Sequence, residues 1–320
     1  MKAVFLDFDT LGPDELDIAG LQSVLPGIEL YAATPVDKIA ERIRAANIVI
    51  VNKTPLSGEL LAQASDLQLV CLAATGSDNV DLVSAREYGI KVCNIRDYCT
   101  PSVVQHVFAL ILELTQRLTS YRGLIDRGAW QLSEQFCMLD FSGRELQGKT
   151  LGVVGTGTLG RAVANVAAAF GMQVVAAQLP HRQPADGELI PRLEWRAFLQ
   201  SCDVISLHCP LTVSTEKLID KEALELIRYD ALLINTARGG LIDSAALLSC
   251  LDAGELGGAG IDVLPEEPPV NDDPLLSKRL PNLIVTPHIA WAAKESRQRA
   301  LDEIVENVRA FQAGSERNLL

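Results

Sequence analysis

Gly155, Gly157 and Gly160 form a G-x-G-x-x-G motif at the junction between an apolar run, Leu151–Gly155, and an alanine-rich stretch. The apolar run predicts a buried strand, and the stretch after the motif predicts a helix. In this setting the first glycine permits a tight turn, the second leaves room for a pyrophosphate, and the third lets helix and strand approach closely. The amide groups at the helix N-terminus then receive the diphosphate. The motif therefore predicts a dinucleotide-binding domain.

Short β-rich runs alternate with helical patterns along the rest of the chain. The second part contains six predicted strands, at Leu151–Gly155, Gln173–Ala177, Val204–His208, Leu232–Asn235, Ala259–Val263 and Ile284–Thr286. The first part contains five, at Val4–Asp7, Glu29–Ala32, Ile48–Asn52, Leu69–Ala73 and Lys91–Asn94. Such alternation is typical of parallel sheets covered by helices. We therefore predict an α/β chain of two doubly wound parallel-sheet domains.

Two helical segments mark where the chain passes between the predicted domains. Thr100–Ser102 is a capping sequence, and it precedes an apolar-periodic helix predicted over Val103–Leu118. An amphipathic helix is predicted over Lys294–Ala313, after the last strand, and we expect it to pack on the first domain. The predicted domains are residues 1–100 with 292–320, and residues 101–291.

The charge of the chain excludes several classes of partner. Its 320 residues carry a formal net charge of −13, which repels phosphate backbones and anionic lipid headgroups. The longest apolar stretch, Val103–Leu114, is interrupted by polar residues, and the N-terminus lacks the pattern of a signal peptide. We expect a cytoplasmic protein that binds neither nucleic acid nor membranes. An anionic substrate needs local positive charge at its site.

The cysteines and histidines give no indication of a metal site. The seven cysteines are an odd number and include no C-x-x-C pair and no zinc spacing. The chain has only four histidines. We expect buried free thiols and no bound metal.

Four segments in the second half of the chain place polar residues at the ends of predicted strands. They are Ser206-Leu-His208-Cys209-Pro, Asn235-Thr236-Ala237-Arg238-Gly, Asp262-Val-Leu-Pro-Glu266-Glu267-Pro and Thr286-Pro-His288-Ile-Ala-Trp291. Together they closely resemble the D-isomer-specific 2-hydroxyacid dehydrogenase family, and the resemblance covers nearly the whole chain. It implies a flavodoxin-like substrate domain and a Rossmann NAD(P)-binding domain with a cleft between them.

The resemblance also implies a chemistry for three residues. Oxidation of a 2-hydroxy acid moves a hydride to the nicotinamide and a proton off the hydroxyl, so the site needs a base such as histidine. By resemblance His288 is the acid/base, Glu267 orients and stabilises its ring, and Arg238 grips the substrate carboxylate or carbonyl oxygen. Glu266 is a near-duplicate of Glu267. We choose Glu267 because the family's glutamate immediately precedes the Pro-Pro step.

Further contacts are carried over from the same family. The cofactor contacts are Thr75, Gly155, Gly157, Thr158, Leu159, Gly160, Gln178, Cys209, Thr236, Ala237, Arg238, Asp262 and His288. The substrate contacts are Ala74, Thr75, Gly76, Arg238, His288 and Trp291. A purely structural role stays open for Asp262 and Trp291.

Gln178 stands where the family usually has the acidic residue that bonds the ribose hydroxyls. A carboxylate there repels a 2′-phosphate. Its absence, with His181 and Arg182 just beyond, leaves both NAD and NADP open as cofactors. In the alternative interpretation, Gln178 bonds the ribose as an amide and Arg182 is a solvated loop charge.

The resemblance leaves the substrate and one other class of function open. The segments Cys93–His106 and Ile289–Trp291 look most like those of glycerate/hydroxypyruvate reductases. Glycerate and hydroxypyruvate are therefore the first candidates for the substrate. Glyoxylate and D-lactate follow, and phosphoglycerate is an alternative. Corepressor-like proteins that sense NAD(H) share the fold, but we expect additional sequence for partner recognition in them, and this chain has no long tail beyond Leu320. Formate dehydrogenases have a glutamine where this chain has Glu267.

The segment Ser120–Ser142 lies between the long helix and the first strand of the nucleotide domain. It contains Trp130, Phe136 and Phe141, which we expect to be exposed. An exposed apolar arm normally marks a partner surface. We therefore predict a homodimer formed through the nucleotide domain.

Overall fold

The computed structural model describes residues 1–179 and 190–320, which divide into two compact units. The first unit contains Met1–Cys99 and Trp291–Leu320, and the second contains Thr100–Ala290. The domain boundaries predicted from the sequence, after residues 100 and 291, each lie one residue later than the boundaries in the structure. Trp291 lies in the first unit as a result.

Within residues 1–99 and 291–320, the first unit has a five-stranded sheet whose strands all pair in parallel. The strands are β1 (Ala3–Phe5), β2 (Glu29–Leu30), β3 (Ile48–Val51), β4 (Leu69–Leu72) and β5 (Lys91–Cys93). Their spatial order, β2-β1-β3-β4-β5, is the flavodoxin-like order. Strands β1, β3 and β4 are buried along their whole length because a parallel sheet is covered on both faces, and this explains their unbroken apolar runs.

Short helices connect these strands. They are α1 (Ala19–Val24), α2 (Ile39–Ile43), α3 (Gly58–Ala62) and α4 (Leu82–Glu87). The Asp81 carboxylate caps α4 by accepting the N–H groups of Val83 and Ser84. Gly89 follows this helix with a φ of +71°, a left-handed conformation that commonly ends a helix.

The second unit begins with two helices where the sequence predicted one. Helix α5 (Thr100–Gln116) starts three residues before the predicted helix, and α6 (Leu118–Asp126) follows it. Arg117 lies between them with a φ of +53°, which no α-helical residue adopts. The predicted continuous helix to Leu118 is therefore wrong at its end.

The sheet of the second unit has seven parallel strands among its described residues, one more than predicted. They are β6 (Thr150–Val154), β7 (Gln173–Ala177), β8 (Arg192–Leu193), β9 (Val204–Leu207), β10 (Leu232–Asn235), β11 (Gly258–Ile261) and β12 (Leu283–Val285), in the order β12-β11-β10-β9-β6-β7-β8. This order contains the 3-2-1-4-5-6 arrangement of a Rossmann sheet. The missed strand, β8, is an edge strand of two residues and is too short to show a β pattern.

Helices α7 (Thr158–Ala169), α8 (Trp195–Ser201), α9 (Lys221–Leu226) and α10 (Ser244–Asp252) complete the second unit. The last helix, α11 (Lys294–Gln312), belongs to the first unit and packs against α1 and β4. It buries Leu301, Ile304 and Val308 there, which agrees with the amphipathic pattern in the sequence. None of the helices in the described ranges combines the length and apolarity needed to cross a membrane.

The segment Ser120–Ser142 presents apolar side chains to solvent. Trp130 is exposed and Phe136 is 94% exposed, as predicted. The prediction for Phe141 is wrong, because its ring packs edge-to-face on Tyr121 with the ring centroids 5.0 Å apart. Cys137 in this segment is exposed, so the expectation of buried thiols fails there. Residues 1–179 and 190–320 contain no cluster of His, Cys, Asp or Glu side chains arranged to hold a metal ion.

Candidate active site

Three neighbouring strands of the second unit end in the polar residues that the sequence singled out. Arg238 follows β10, Asp262 and Glu267 follow β11, and His288 follows β12. These strands are parallel and adjacent, so their carboxyl ends meet at one edge of the sheet. In open α/β sheets this edge is where ligands bind.

His288 and Glu267 form a direct hydrogen-bonded pair. The ring Nδ1 of His288 lies 2.5 Å from Oε2 of Glu267. The other carboxylate oxygen of Glu267 accepts the Leu264 N–H at 2.8 Å, which fixes the carboxylate from behind. The two side chains remain 27% and 35% exposed, so the pair is accessible from solvent.

The structure separates Glu267 from its neighbour Glu266. Both carboxylate oxygens of Glu266 accept from the side-chain amide of Asn271 at 2.9 Å. Glu266 therefore forms hydrogen bonds within its own loop, and Glu267 is the glutamate that bonds to His288.

The loop that carries His288 is clamped by the Asp262 side chain. Asp262 is 1% exposed, and its carboxylate accepts the Thr286 hydroxyl at 2.5 Å and the Ile289 and Ala290 N–H groups at 2.9 and 2.8 Å. The backbone N–H of His288 also donates to the Asp262 carbonyl at 2.8 Å. His288 has a φ of +55°, a conformation that costs a non-glycine residue about 1–3 kcal/mol. The bonds to Asp262 offset this strain and fix the position of the imidazole.

Arg238 sits in a turn that is itself tightly held. The Asn235 side chain donates to the Arg238 carbonyl at 2.9 Å, and the guanidinium Nη1 donates to the Ala237 carbonyl at 2.8 Å. A Cβ atom on the next residue, Gly239, would overlap the carbonyl carbon of Leu264. Glycine is therefore required for the Arg238 turn to pack against the segment that leads to Glu267.

The glycine motif has the backbone geometry that its spacing predicts. Gly155 has a φ of +102°, and a Cβ there would lie 2.8 Å from the Cys209 nitrogen. A Cβ on Gly160 would overlap the Gly155 carbonyl oxygen, so helix α7 and strand β6 are in close contact at this point. A Cβ on Gly157 would meet no atom within 4 Å. The first helical bond runs from the Arg161 N–H to the Gly157 carbonyl, which leaves the amides of the first turn without helical acceptors.

These features fit a dinucleotide diphosphate, since the motif offers amides and space at a helix N-terminus. A second observation also fits a bound cofactor. The hydroxyl of Thr236, at the end of β10, is buried and has no hydrogen-bond partner among the residues that the structure describes. Buried polar atoms are seldom left unpaired in folded proteins, and a ligand would supply the missing partner.

Two further polar residues, Gln178 and His208, directly follow strands β7 and β9. Gln178 directly follows β7 and is exposed. His208 lies at the end of β9 with its Nε2 2.9 Å from the Ser206 hydroxyl, and burial lowers the pKa of its imidazole to about 4. His208 is therefore neutral near pH 7. His181 and Arg182 lie outside the described residues.

Two residues outside the predicted contacts also lie in this region. His106 on α5 places its Nε2 3.0 Å from the Thr286 hydroxyl and 3.5 Å from the Asp262 carboxylate. Its position on an apolar helix favoured the interpretation of a core or interdomain residue over a substrate contact. Arg192 of β8 donates to the Thr156 hydroxyl within the glycine motif, and no sequence pattern marked its strand.

The candidate residues Ala74–Gly76 lie in the first unit, in the loop after β4. The Thr75 hydroxyl donates to the Ile95 carbonyl at 2.9 Å, and the Asn94 side chain donates to the Thr75 carbonyl at 2.7 Å. Trp291 packs edge-to-face on Tyr98 with ring centroids 6.3 Å apart. The substrate contacts predicted for Ala74–Gly76 and Trp291 stay predictions.

Comparison with known proteins assigns the family. The family model described as D-isomer specific 2-hydroxyacid dehydrogenase, NAD binding domain, matches residues 108–290, which is more than half of the chain. The chain belongs to the D-isomer specific 2-hydroxyacid dehydrogenase family. It is an oxidoreductase that uses a nicotinamide dinucleotide to interconvert 2-hydroxy and 2-keto acids.

Individual relatives support this assignment over most of the chain. The glycerate dehydrogenase of Methylorubrum extorquens is 44% identical over 89% of this chain and 88% of its own length. The hydroxypyruvate reductase of Blautia hydrogenotrophica is 36% identical over 100% of this chain and 99% of its own length. The solved structure of D-lactate dehydrogenase from Aquifex aeolicus, complexed with NAD and lactic acid, matches with a TM-score of 0.82 and 31% identity, covering 98% of this chain and 96% of that chain.

Proposed function

We propose that this dehydrogenase interconverts D-glycerate and hydroxypyruvate, with glyoxylate as a secondary substrate. The observation that carries the chemistry is the 2.5 Å contact between His288 Nδ1 and Glu267 at the edge of the sheet where Arg238 also lies. The choice of substrate is supported by the relatives named glycerate dehydrogenase and hydroxypyruvate reductase, at 44% and 36% identity.

His288 is the proposed acid/base. Its Nδ1 is held by Glu267, so Nε2 is the ring nitrogen that exchanges a proton with the substrate. During reduction Nε2 gives its proton to the carbonyl oxygen, and during oxidation it takes the hydroxyl proton. The bound dinucleotide supplies or accepts the hydride. The negative charge of Glu267 stabilises the imidazolium form in both directions and keeps the ring in one orientation.

Arg238 is the proposed ligand for the substrate. Its planar guanidinium matches the two oxygens of a carboxylate, and the bonds to Ala237 and Asn235 hold the turn before the substrate arrives. Its charge also offsets the repulsion that a chain of net charge −13 exerts on an anion. We further propose that the amides of Ala74–Gly76 bind the substrate carboxylate and that Trp291 contacts the substrate.

The two adjacent glutamates provide a matched test of the site. We expect Glu267→Gln to lower kcat for hydroxypyruvate reduction by about 100-fold or more, because the imidazolium loses its counter-charge. We expect Glu266→Gln to stay within about twofold of wild type, since among the described residues that carboxylate bonds to the nearby amide of Asn271 and not to His288. Equal effects of the two substitutions, or no effect of Glu267→Gln, contradict the assignment.

We also propose that the enzyme is a homodimer formed through the segment Ser120–Ser142. The support is the exposure of four large apolar side chains within this one segment, Trp130, Leu132, Phe136 and Leu139. Sedimentation velocity at micromolar concentration is expected to show a dimer, and Phe136→Glu is expected to shift it toward monomer. A wild-type protein that sediments as a stable monomer refutes this part of the proposal.

A further inference from the structure

The guanidinium of Arg192 joins two parts of the nucleotide-binding edge. Its Nη2 donates to the hydroxyl of Thr156 at 2.9 Å, and its Nη1 donates to the carbonyl of Ala177 at 3.0 Å. Thr156 lies between the first two glycines of the motif, and Ala177 is the last residue of β7. Two bonds through two different nitrogens fix the plane of the guanidinium as well as its position.

The location of this group relates it to one part of the cofactor. In a dinucleotide-binding fold, the residue at the end of the second strand bonds the hydroxyls of the adenosine ribose. Here that residue is Gln178, which directly follows Ala177 and carries no charge. Among the residues that the structure describes, Arg192 of the neighbouring edge strand β8 brings a positive charge to the end of β7, through its bond to the Ala177 carbonyl.

We propose that Arg192 is a specificity-determining residue that favours the 2′-phosphate of NADPH over the free 2′-hydroxyl of NADH. The 2′-phosphate is a dianion close to neutral pH, and a guanidinium is the side chain best matched to it. The bonds to Thr156 and Ala177 orient the charge in advance, so little side-chain freedom is lost on binding. This inference rests on the proposed function, since it concerns the dinucleotide that the dehydrogenase uses.

A structural alternative makes a different prediction. If Arg192 only supports the glycine loop, its loss weakens the binding of both dinucleotides to the same extent, because both share the diphosphate that the loop receives. The ratio of the two dissociation constants therefore separates recognition of the 2′-phosphate from support of the loop.

The experiment measures the Kd of NADPH and of NADH by nicotinamide fluorescence, for the full chain without substrate. Wild type is compared with Arg192→Gln, which keeps hydrogen-bond donors and removes the charge, and with Arg192→Lys, which keeps the charge. We expect Arg192→Gln to raise the Kd of NADPH at least tenfold, or about 1.4 kcal/mol, and the Kd of NADH less than twofold. Arg192→Lys is expected to retain most of the preference for NADPH. In wild type, added salt is expected to weaken NADPH binding more than NADH binding.

Each outcome decides the inference. Equal losses for both dinucleotides in Arg192→Gln, no change for either, or a wild type that binds NADH and rejects NADPH overturn it and leave the proposed dehydrogenase intact. If Arg192→Gln does not fold, Arg192→Lys and the salt dependence of wild type decide. The inference is overturned if Arg192→Lys no longer binds NADPH in preference to NADH. It is also overturned if added salt weakens the binding of both dinucleotides to wild type equally. A wild type that binds neither dinucleotide refutes the proposed function itself.

Discussion

Gly157 and Gly160 stand three residues apart in the same motif, and the structure assigns them opposite physical roles. A methyl group on Gly160 would overlap the carbonyl oxygen of Gly155, whereas a methyl group on Gly157 would meet no protein atom within 4 Å. Gly157 has a φ of −68°, which alanine adopts without strain. Substitution of each glycine by alanine therefore separates the requirement of the fold from the requirement of the ligand.

The magnitudes follow from these contacts. Gly160→Ala forces the backbone of Gly155 to move, and overpacking of this kind costs about 1–3 kcal/mol. For a domain of this size the melting temperature then falls by roughly 2–12 °C. Gly157→Ala weakens the cap of α7 slightly and also reduces the freedom of the unfolded chain, so we expect a net change within about 1 kcal/mol. Its methyl group would instead occupy the space left for the diphosphate, and we expect the Kd of the dinucleotide to rise at least tenfold.

Thermal unfolding without cofactor and fluorescence titration with NADH and NADPH measure the two effects independently. We expect Gly157→Ala to be stable and defective in binding, and Gly160→Ala to be less stable than wild type before any ligand is added. The assigned roles are refuted if Gly157→Ala binds both dinucleotides as tightly as wild type does. They are also refuted if Gly160→Ala has the same melting temperature as wild type.

Three further predictions follow from the site. Arg238→Lys is expected to lose most activity, because a point charge replaces a planar fork; a loss below about fivefold in kcat/KM, roughly 1 kcal/mol, argues against the role of Arg238. Gln178→Asp is expected to lower the efficiency with NADPH far more than with NADH, since it adds a charge that repels a 2′-phosphate. If wild type already prefers NADH over NADPH by more than about a thousandfold, roughly 4 kcal/mol of discrimination against NADPH comes from other residues. This interpretation of Gln178 is then wrong. Burial lowers the pKa of His208 to about 4 from 6.5, so the folded protein binds fewer protons than the unfolded chain between these values, and stability falls as the pH drops from about 6.5 to 4. The loss of unfolding free energy attributable to this group is at most about 3 kcal/mol. Thermal unfolding of His208→Asn is expected to show a smaller fall in stability over this pH range than wild type, and equal falls contradict the lowered pKa of His208.

The sequence predicted those parts of the fold that depend on local pattern. Four-residue apolar runs such as Ile48–Val51 mark buried parallel strands, and the G-x-G-x-x-G spacing marks a turn that needs a positive φ at Gly155. The edge strand β8 left no such pattern, because two residues are too few to show a period. The break at Arg117 was missed for a related reason, since arginine is a good helix former and carries no turn signal.

For the candidate site, residue types were easier to predict than their connections. The order of Arg238, Glu267 and His288 pointed to one edge of the sheet, and the structure places all three after adjacent strands. The clamp that Asp262 forms on the His288 loop, and the bond from Arg192 to Thr156, depend on contacts between segments distant in sequence. Composition and periodicity contain no information about such contacts. The same limit explains Phe141, whose ring is covered by Tyr121, a residue 20 positions earlier.

The activity of this dehydrogenase is tested by the initial rate of oxidation of NADH and NADPH with a panel of 2-keto acids: hydroxypyruvate, glyoxylate, pyruvate and 3-phosphohydroxypyruvate. We expect hydroxypyruvate to have the highest kcat/KM and the product to be D-glycerate. We expect His288→Ala to abolish turnover while dinucleotide binding persists. A wild-type protein that binds the dinucleotide but reduces none of these keto acids contradicts the proposed 2-hydroxyacid dehydrogenase activity.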